Sequence, residues 1–406
     1  MSFVRSLRGL TVCSVLLVVA APACAGIDIP SDGSDGAFNP TSSVEVDLSL
    51  AAAAAWDTPS PTPGNGVYDP EKWAVVFKYT EVNIPSGVTV TFKNHPTRAA
   101  VVWLVQGDVT IGGSVRLNGD QTEPGPGGFR AGAGSTPSGD ISGGFGPGGG
   151  RYADGAGSYG TLGGGNSGPT HGWPSIVPLI GGSGSSGETT YGKGGTTGGG
   201  AILIASANTI SIDSLGLIRA CGNAWSASTA QYTGSGGAIR LVAATVAGQG
   251  NLYATGGVAY SSSNRGGDGR IRIEADDVSS QIGCLPDASV DAPDYPPVIW
   301  PADDWPSVKI THVAGLAAPN DPRAGLTFGS HDVTIPDPGP VTATVTLEAT
   351  NMPTNWNVVV RIVPTHGQDS TVNAALVSGD ETASVWEAQV TIPSGFAVLQ
   401  ARARVP

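Results

Sequence analysis

VVFKYTEVNIPSGVTVTFKN, residues 75–94, has a counterpart in VVWLVQGDVTIGGSVRLNGD, residues 101–120. The same frame accommodates AILIASANTISIDSLGLIRACGN (201–223), AIRLVAATVAGQGNLYATGG (238–257) and a shorter RIRIEADDVSSQIG (270–283). Each copy is three short alternating segments rich in β-branched residues, broken by Gly, Ser, Asn or Asp, and about 20 residues long. Such a unit cannot bury its own apolar face, but successive units that coil on one another can. The repeat therefore predicts a right-handed parallel β-helix over residues 66–285, with Val76, Val102, Ile202, Ile239 and Ile271 in one interior column. An antiparallel sandwich of short strands is the competing reading. Asn-Gly or Asp-Gly two-residue turns, which hairpins favour, do not recur between the segments.

The rest of the chain agrees with an all-β protein. Charged residues make up 13%, there are 61 glycines, and no apolar 3.6-residue period persists beyond the amino terminus. LAAAAAW, residues 50–56, is the helix-prone exception and reads as a short capping element or linker within an N-terminal segment, 26–65. Residues 121–200 hold 30 of the 61 glycines without a strict three-residue period, which excludes collagen. That stretch is expected to be one long glycine-rich loop leaving a corner of the coil, and long loops in compact domains are disordered or functional. Residues 286–306, rich in Pro and Asp, read as a linker. Beyond them, about seven short alternating segments in residues 307–406 predict an immunoglobulin-like β-sandwich with Trp356 or Trp386 in its core.

Residues 1–25 read as a signal peptide, with Arg5 and Arg8 ahead of an apolar run from Leu10 to Ala21. Ala23-Cys24-Ala25 fits cleavage before Gly26, whereas cleavage before Cys24 would leave a cysteine for lipidation; Ala21-Pro22 match that alternative poorly. No later stretch approaches the roughly 20 apolar residues of a membrane span. The chain is expected to be exported, to the extracellular space or the cell envelope (outer surface or periplasm). Its net charge of −13 becomes more negative once Arg5 and Arg8 are removed, so nucleic acid is a poor partner. In an oxidising compartment Cys221 and Cys284 can form one disulfide, contributing about 4 kcal/mol in the chain-entropy model. Two small buried thiols are the alternative.

Several motifs touch chemistry. GSGSSGETTYGKGG, residues 182–195, spells G-x-G-x-x-G at Gly182, Gly184 and Gly187 and nearly a P-loop at Lys193, but Gly194 replaces the required Ser or Thr and no helix pattern follows. Nucleotide is therefore excluded. The five histidines are scattered, and no G-x-S-x-G occurs. No cofactor is implied, although Asp28, Asp32 and Asp35 in IDIPSDGSDG, and Asp287, Asp291 and Asp294 in the linker, supply the oxygens calcium takes; solvated acids are the simpler reading of both. Phe129, Phe145, Tyr152, Tyr159, Trp173 and Tyr191 punctuate the glycine-rich stretch. Of these, Tyr152, Tyr159, Trp173 and Tyr191 are the candidate ligand-stacking residues, unless they pin the loop to the coil. A third arrangement bundles the glycine runs as extended polyproline-type helices, as in phage tail-tip adhesins that the stretch resembles in composition.

GNGVYDPEKWAVVFKYTEVNIPSGVTVTFKNHPTRAAVVWLVQGDVTI and the later GGAIRL-type segments resemble uncharacterised secreted glycine-rich repeat proteins of environmental bacteria over roughly residues 36–280. That resemblance implies an envelope location. The expected architecture is similar to that of pectin-lyase-like enzymes, but Thr170-His171-Gly172, Arg270-Ile271-Arg272 and Asp276-Asp277 only echo polygalacturonase motifs, out of order, so no catalytic residue is carried over. The function expected is a non-catalytic cell-surface scaffold or adhesin presenting the glycine-rich aromatic loop to extracellular carbohydrate or an envelope protein. A polysaccharide lyase or glycoside hydrolase is the alternative, and would need two converging acids on one face.

Overall fold

The computed structural model describes residues 26–120, 122–134, 141–189, 192–223, 232–259, 261–321 and 331–405. The signal-peptide and Cys24 readings, and Tyr191, fall outside the described residues. Within them the chain is all-β, with two single-turn 3-10 segments and no α-helix. The alanine-rich stretch is mostly extended: Asp47 caps a 3-10 turn at Leu48–Leu50, and Ala52–Ala53 pair with Val67–Asp69.

The five repeat copies do pair in parallel, but not as the open coil that the repeat predicts. Taken in hydrogen-bonded order, Ala201–Ser206, Ala100–Val105, Ala74–Ile84, Val109–Ile111, Thr209–Ile212 and Ala238–Gly248 are neighbours, and the last pairs back to the first. The main sheet is thus a closed ring of six parallel strands with further parallel pairings, and the right-handed β-helix is corrected. The physical reason lies in Ala74–Ile84 and Ala238–Gly248. Each runs for 11 residues straight through the place where a corner between the first two segments was expected. One half of Ala74–Ile84 pairs with Ala100–Val105 and the other with Val109–Ile111. Ala238–Gly248 does the same with Ala201–Ser206 and Thr209–Ile212. The third segments form a second sheet, in the order Gly283–Leu285, Asn251–Tyr253, Leu217–Arg219, Ser114–Arg116, Thr89–Lys93, Val44–Asp47.

The expected interior column is also out of register. Val75 pairs with Val101, Val101 with Ile202, Ile202 with Ile239 and Ile239 with Ile271, and this row faces Val90, Val115, Ile218 and Leu252 of the second sheet in the main core. Val76 and Val102 instead align with Leu203 and point to the opposite face. A shift of one residue along a strand exchanges its two faces. Both faces are apolar here because Ile27, Ile29, Trp56, Ile299 and Trp300 cover the outer one. Each fully buried Val, Ile or Leu contributes about 1.5–3 kcal/mol relative to exposure, which fixes the register on both sides. The linker is held down as well: Arg240 and Glu274, both buried, form a two-bond pair, and Arg240 donates to the Val298 carbonyl.

Nor is the glycine-rich stretch a loop displayed on a corner. Gly125–Gly128, Gly143–Gly150, Gly181–Gly187 and Thr196–Gly200 are buried, apart from half-buried Pro147, and are joined by backbone hydrogen bonds. Phe129 and Gly132 donate to Gly182 and Ser185, which in turn donate to Gly199 and Thr196. A step of three on every partner is the repeat of a polyproline-type extended helix. The bundle is dense enough to exclude side chains. An added Cβ would lie 1.9 Å from the Arg130 carbonyl oxygen at Gly184, 1.9 Å from that of Ala254 at Gly236 and 1.8 Å from that of Gly200 at Gly237.

The described residues from 307 onward form two antiparallel sheets. Leu316–Ala317, Ser307–Val313, Val341–Thr350, Ala383–Ile392 and Ala375–Gly379 make one; Ser370–Asn373, Asn357–Pro364 and Ala397–Arg404 make the other. Trp386 is buried between them and Trp356 packs at the margin. This unit grips the glycine bundle through Arg361, which donates to the Gly144 and Gly150 carbonyls while paired to Asp369, and Arg402 donates to Pro147.

Gly236→Ala is expected to lower stability by about 1–3 kcal/mol, the cost of overpacking against backbone that cannot yield. Gly339→Ala, where the nearest atom is 3.5 Å from the built Cβ, should stay within about 0.5 kcal/mol. Urea midpoints of both variants check this, and equal effects would contradict the packing described.

Candidate functional site

Of the four aromatic candidates, two are occupied structurally. Tyr159 is fully buried with Ala100, Ala201 and Ala238, its ring 4.6 Å from that of His171 and 5.8 Å from the Arg270 guanidinium. Tyr152 is half-buried, and its backbone bonds Asp369 and Asn166. Trp173 is 54% exposed, and Leu162, 66% exposed, lies on the neighbouring segment that pairs with it through the Tyr159–His171 backbone bond. The three described rings therefore do not gather into one stacking surface; Tyr159 pins the stretch and Trp173 is exposed.

The other sequence candidates are dispersed too. Asp35 accepts from the amides of Gly64, Gly66 and Lys78, Asp32 lies 3.5 Å from the buried Lys78 ammonium, and Asp28 is exposed apart from them. Burial acts to raise the Asp32 pKa, but bonds from Ser34 and the charge of Lys78 outweigh it and hold the carboxyl below its usual value. Among the described residues no three His, Cys, Asp or Glu side chains converge as metal ligands. Cys221 and Cys284 are free thiols. Cys284 is level with Leu252 and, through it, with Ile218, so two inter-strand steps of about 4.8 Å separate its row from the strand leading to Cys221, beyond the 7 Å a disulfide tolerates. At the nucleotide-like spelling, the amides of Gly182, Gly184 and Gly187 donate to Gly199, Phe145 and Ser142.

A cleft of about 580 Å3 opens where the second sheet meets the start of the glycine bundle, lined among others by Asn94, His95, Arg98, Arg116, Asp120 and Glu123. Arg98 is the most buried charged residue of its lining. The residue is 4% exposed, and its backbone holds φ of 55°, a left-handed value that a side chain seldom adopts. Nε and Nη2 both donate to Glu123 Oε2, and Arg130 takes Oε1. A guanidinium is a planar fork, so Nη1 lies on the side away from Glu123, buried and without a hydrogen-bond partner; Asn94 Oδ1 is in the same condition. Burial pulls the Arg98 pKa down, against the pull of Glu123.

From the cleft the outward row of the second sheet continues through Arg116, Arg219 and Tyr253, each level with the next. Arg219 sits 5.3 Å over the Tyr253 ring, and its Nε also lacks a partner. His95 stacks on Tyr68 at 4.1 Å, and burial lowers its pKa. None of Asn94, Arg98, Arg116 or Arg219 was singled out from the sequence. A signal existed: in a chain with 13% charged residues, the third segment of three copies ends on a basic residue, Lys93, Arg116 or Arg219, with Asn94, Asn118 or Asn223 soon after.

No family model matches the chain, and no curated protein or solved structure matches it. No helix among the described residues is long and apolar enough to cross a membrane.

His171 generates a pH prediction. Both ring nitrogens are shut off from solvent although the residue is half-buried overall. Burial lowers its pKa to about 3, opposed by a backbone bond to Gly181 and reinforced by the charges of Arg270 and Arg402. The unfolded chain takes up this proton near pH 6.5 and the folded chain does not, so His171 supports the fold above that pH. The support is lost as pH falls, by up to about 1.4 kcal/mol per unit between pH 6 and 4. Urea midpoints at pH 7.5, 5.5 and 4.5 should show a slope that His171→Phe reduces; an unchanged slope would refute this.

Proposed function

We propose that the chain is a non-catalytic scaffold of adhesin type that binds extracellular carbohydrate. The contact surface in this reading is the polar cleft at Arg98 with the adjoining Arg116–Arg219–Tyr253 row, and exposed Trp173 offers a second contact. The observation that supports it is the contrast in hydrogen-bond capacity. Of the acids at the cleft, Glu123 has both oxygens on arginines, and Asp120 accepts from the amides of Thr122 and Glu123 through Oδ1. Arg116, in the same lining, faces solvent, whereas Arg98 Nη1, Asn94 Oδ1 and Arg219 Nε are unpartnered but closed off from it. Hydrolysis of a glycosidic bond needs one acid free to give a proton and another free to receive one or attack. Binding needs donors and acceptors with capacity left, beside a ring. Export belongs to the same proposal and rests on the amino-terminal sequence, and an envelope protein is the other partner the reading admits.

The test is incubation of the exported protein with acidic and neutral polysaccharides, with and without calcium, following retention and new chain ends together. Retention without new ends is expected, and Trp173→Ala should weaken it without lowering stability. New chain ends would sink the non-catalytic reading, and absence of retention on every polymer would sink the carbohydrate reading.

A further inference from the structure

We infer that the outward face of the strands Asn357–Pro364 and Ala397–Arg404, together with Arg151 of the adjoining glycine bundle, is a docking surface for an acidic polysaccharide. This rests on the carbohydrate reading above, adding a second surface and naming the charge of the polymer. Strand alternation puts Val358, Val360 and Ile362 in the core, so Asn357, Val359 and Arg361 point the other way. Arg404 is level with Asn357 and Arg402 with Val359, which sets both arginines on that outward face, about 7 Å apart along one strand. The third strand of the sheet adds Asn373 beside Val359 and Thr371 beside Arg361.

The bundle holds the inner end of this group in place. Arg361 donates to the Gly144 and Gly150 carbonyls and Arg402 to that of Pro147, and Arg151 follows Gly150 directly. Asp369 is the acid of the group, and it is taken by Arg361 Nε and the Tyr152 amide. Among the described residues Arg151, Arg402 and Arg404 have no carboxylate partner. Burial, and after it the charges of Arg404, Arg361 and Arg151, pull the Arg402 pKa down to about 10. Four guanidiniums thus lie within electrostatic reach with one carboxylate among them, a local excess whose self-repulsion a polyanion would relieve. Arg151 and Arg404 are exposed, and no side-chain hydrogen bond or ion pair occupies either among the described residues. The net charge of −13 does not cancel this attraction, because charges beyond about 8 Å are screened at physiological salt.

The surroundings favour a sugar polymer over a peptide. A peptide added as a strand binds main-chain groups along a sheet edge, whereas these guanidiniums project from the face. Exposed Asn357, Thr371 and Asn373 offer amides and a hydroxyl without side-chain hydrogen bonds of their own among the described residues, and such groups pair with sugar hydroxyls. A Cβ at Gly148 would stand 2.7 Å from His171 Nδ1, and the segment packed there carries the exposed Trp173 two residues on, a ring for an apolar sugar face.

Isothermal titration of the exported protein with a uronic-acid hexasaccharide, its methyl ester and a hexaglutamate peptide tests the inference. The acid is expected to bind at least about tenfold more tightly than the ester, and to weaken as salt rises from about 0.05 M to about 0.3 M. The double variant Arg151→Gln with Arg404→Gln changes two exposed side chains, so it should keep its urea midpoint while losing about tenfold of the affinity for the acid and little of that for the ester. Equal affinity for acid and ester, tighter binding of the peptide, or undiminished binding of the acid by the double variant would each overturn the inference. Loss of acid binding in Arg116→Gln, with the double variant unaffected, would do so while leaving the wider carbohydrate reading standing; no binding of any sugar would remove both.

Discussion

A carbonyl oxygen lies about two ångströms from where a side chain would begin at Gly184, Gly236 and Gly237, and the remainder of the molecule is arranged around that contact. Segments this close can satisfy their peptide groups on one another, which is the requirement any buried backbone has to meet. They do so without contributing apolar side chains, so cohesion must come from hydrogen bonds and from packing against neighbouring elements. The bundle obtains both. Its ends run directly into strands of the main sheet, where Gly200 and Gly237 precede Ala201 and Ala238, and Tyr159 is sealed beneath those alanines. Arg361 and Arg402 cap glycine-segment carbonyls from the carboxy-terminal sheets.

The repeats were legible because alternation in β-branched segments leaves a mark in one sequence, and the parallel pairing of all five copies follows from it. Their register was not, since both faces of the main sheet are apolar. Val75 and Val76 are equally good core residues by type, and only the cover of Ile27, Ile29 and Ile299 reveals that Val76 faces away from the second sheet. The closed ring was hidden for a related reason. Nothing in KYTEVN or VAATVAG announces whether a corner interrupts the strand, and continuity through that point turns a coil into a ring.

Glycine is where sequence reasoning lost most. A three-residue step between partners such as Phe129–Gly182 and Gly132–Ser185 is a property of pairs of segments, and composition records neither the pairing nor the step. The absence of a strict glycine period therefore excluded collagen correctly without bearing on a bundle whose members differ in length and direction. The same blindness misplaced the aromatics. Tyr159 and Trp173 look alike among glycines, yet one lies beneath strand-end alanines and the other faces solvent.

The cleft illustrates how a site can be hidden in a repeat that was otherwise read. Arg116 and Arg219 end the same segment in successive copies, and parallel pairing sets these two cations level with each other, with Lys93 two residues beyond the row. Like charges at that spacing repel unless something intervenes. Here Asp47 takes Lys93, the Tyr253 ring takes Arg219, and Arg116 is left facing solvent beside the constrained Arg98. A row of basic residues that cost only repulsion would gain from replacement by threonine, which suits an exposed strand position and already stands next in the row at Thr91. Arg98 Nη1 is unpartnered but closed off from solvent, so Arg116 is the cation that the cleft presents.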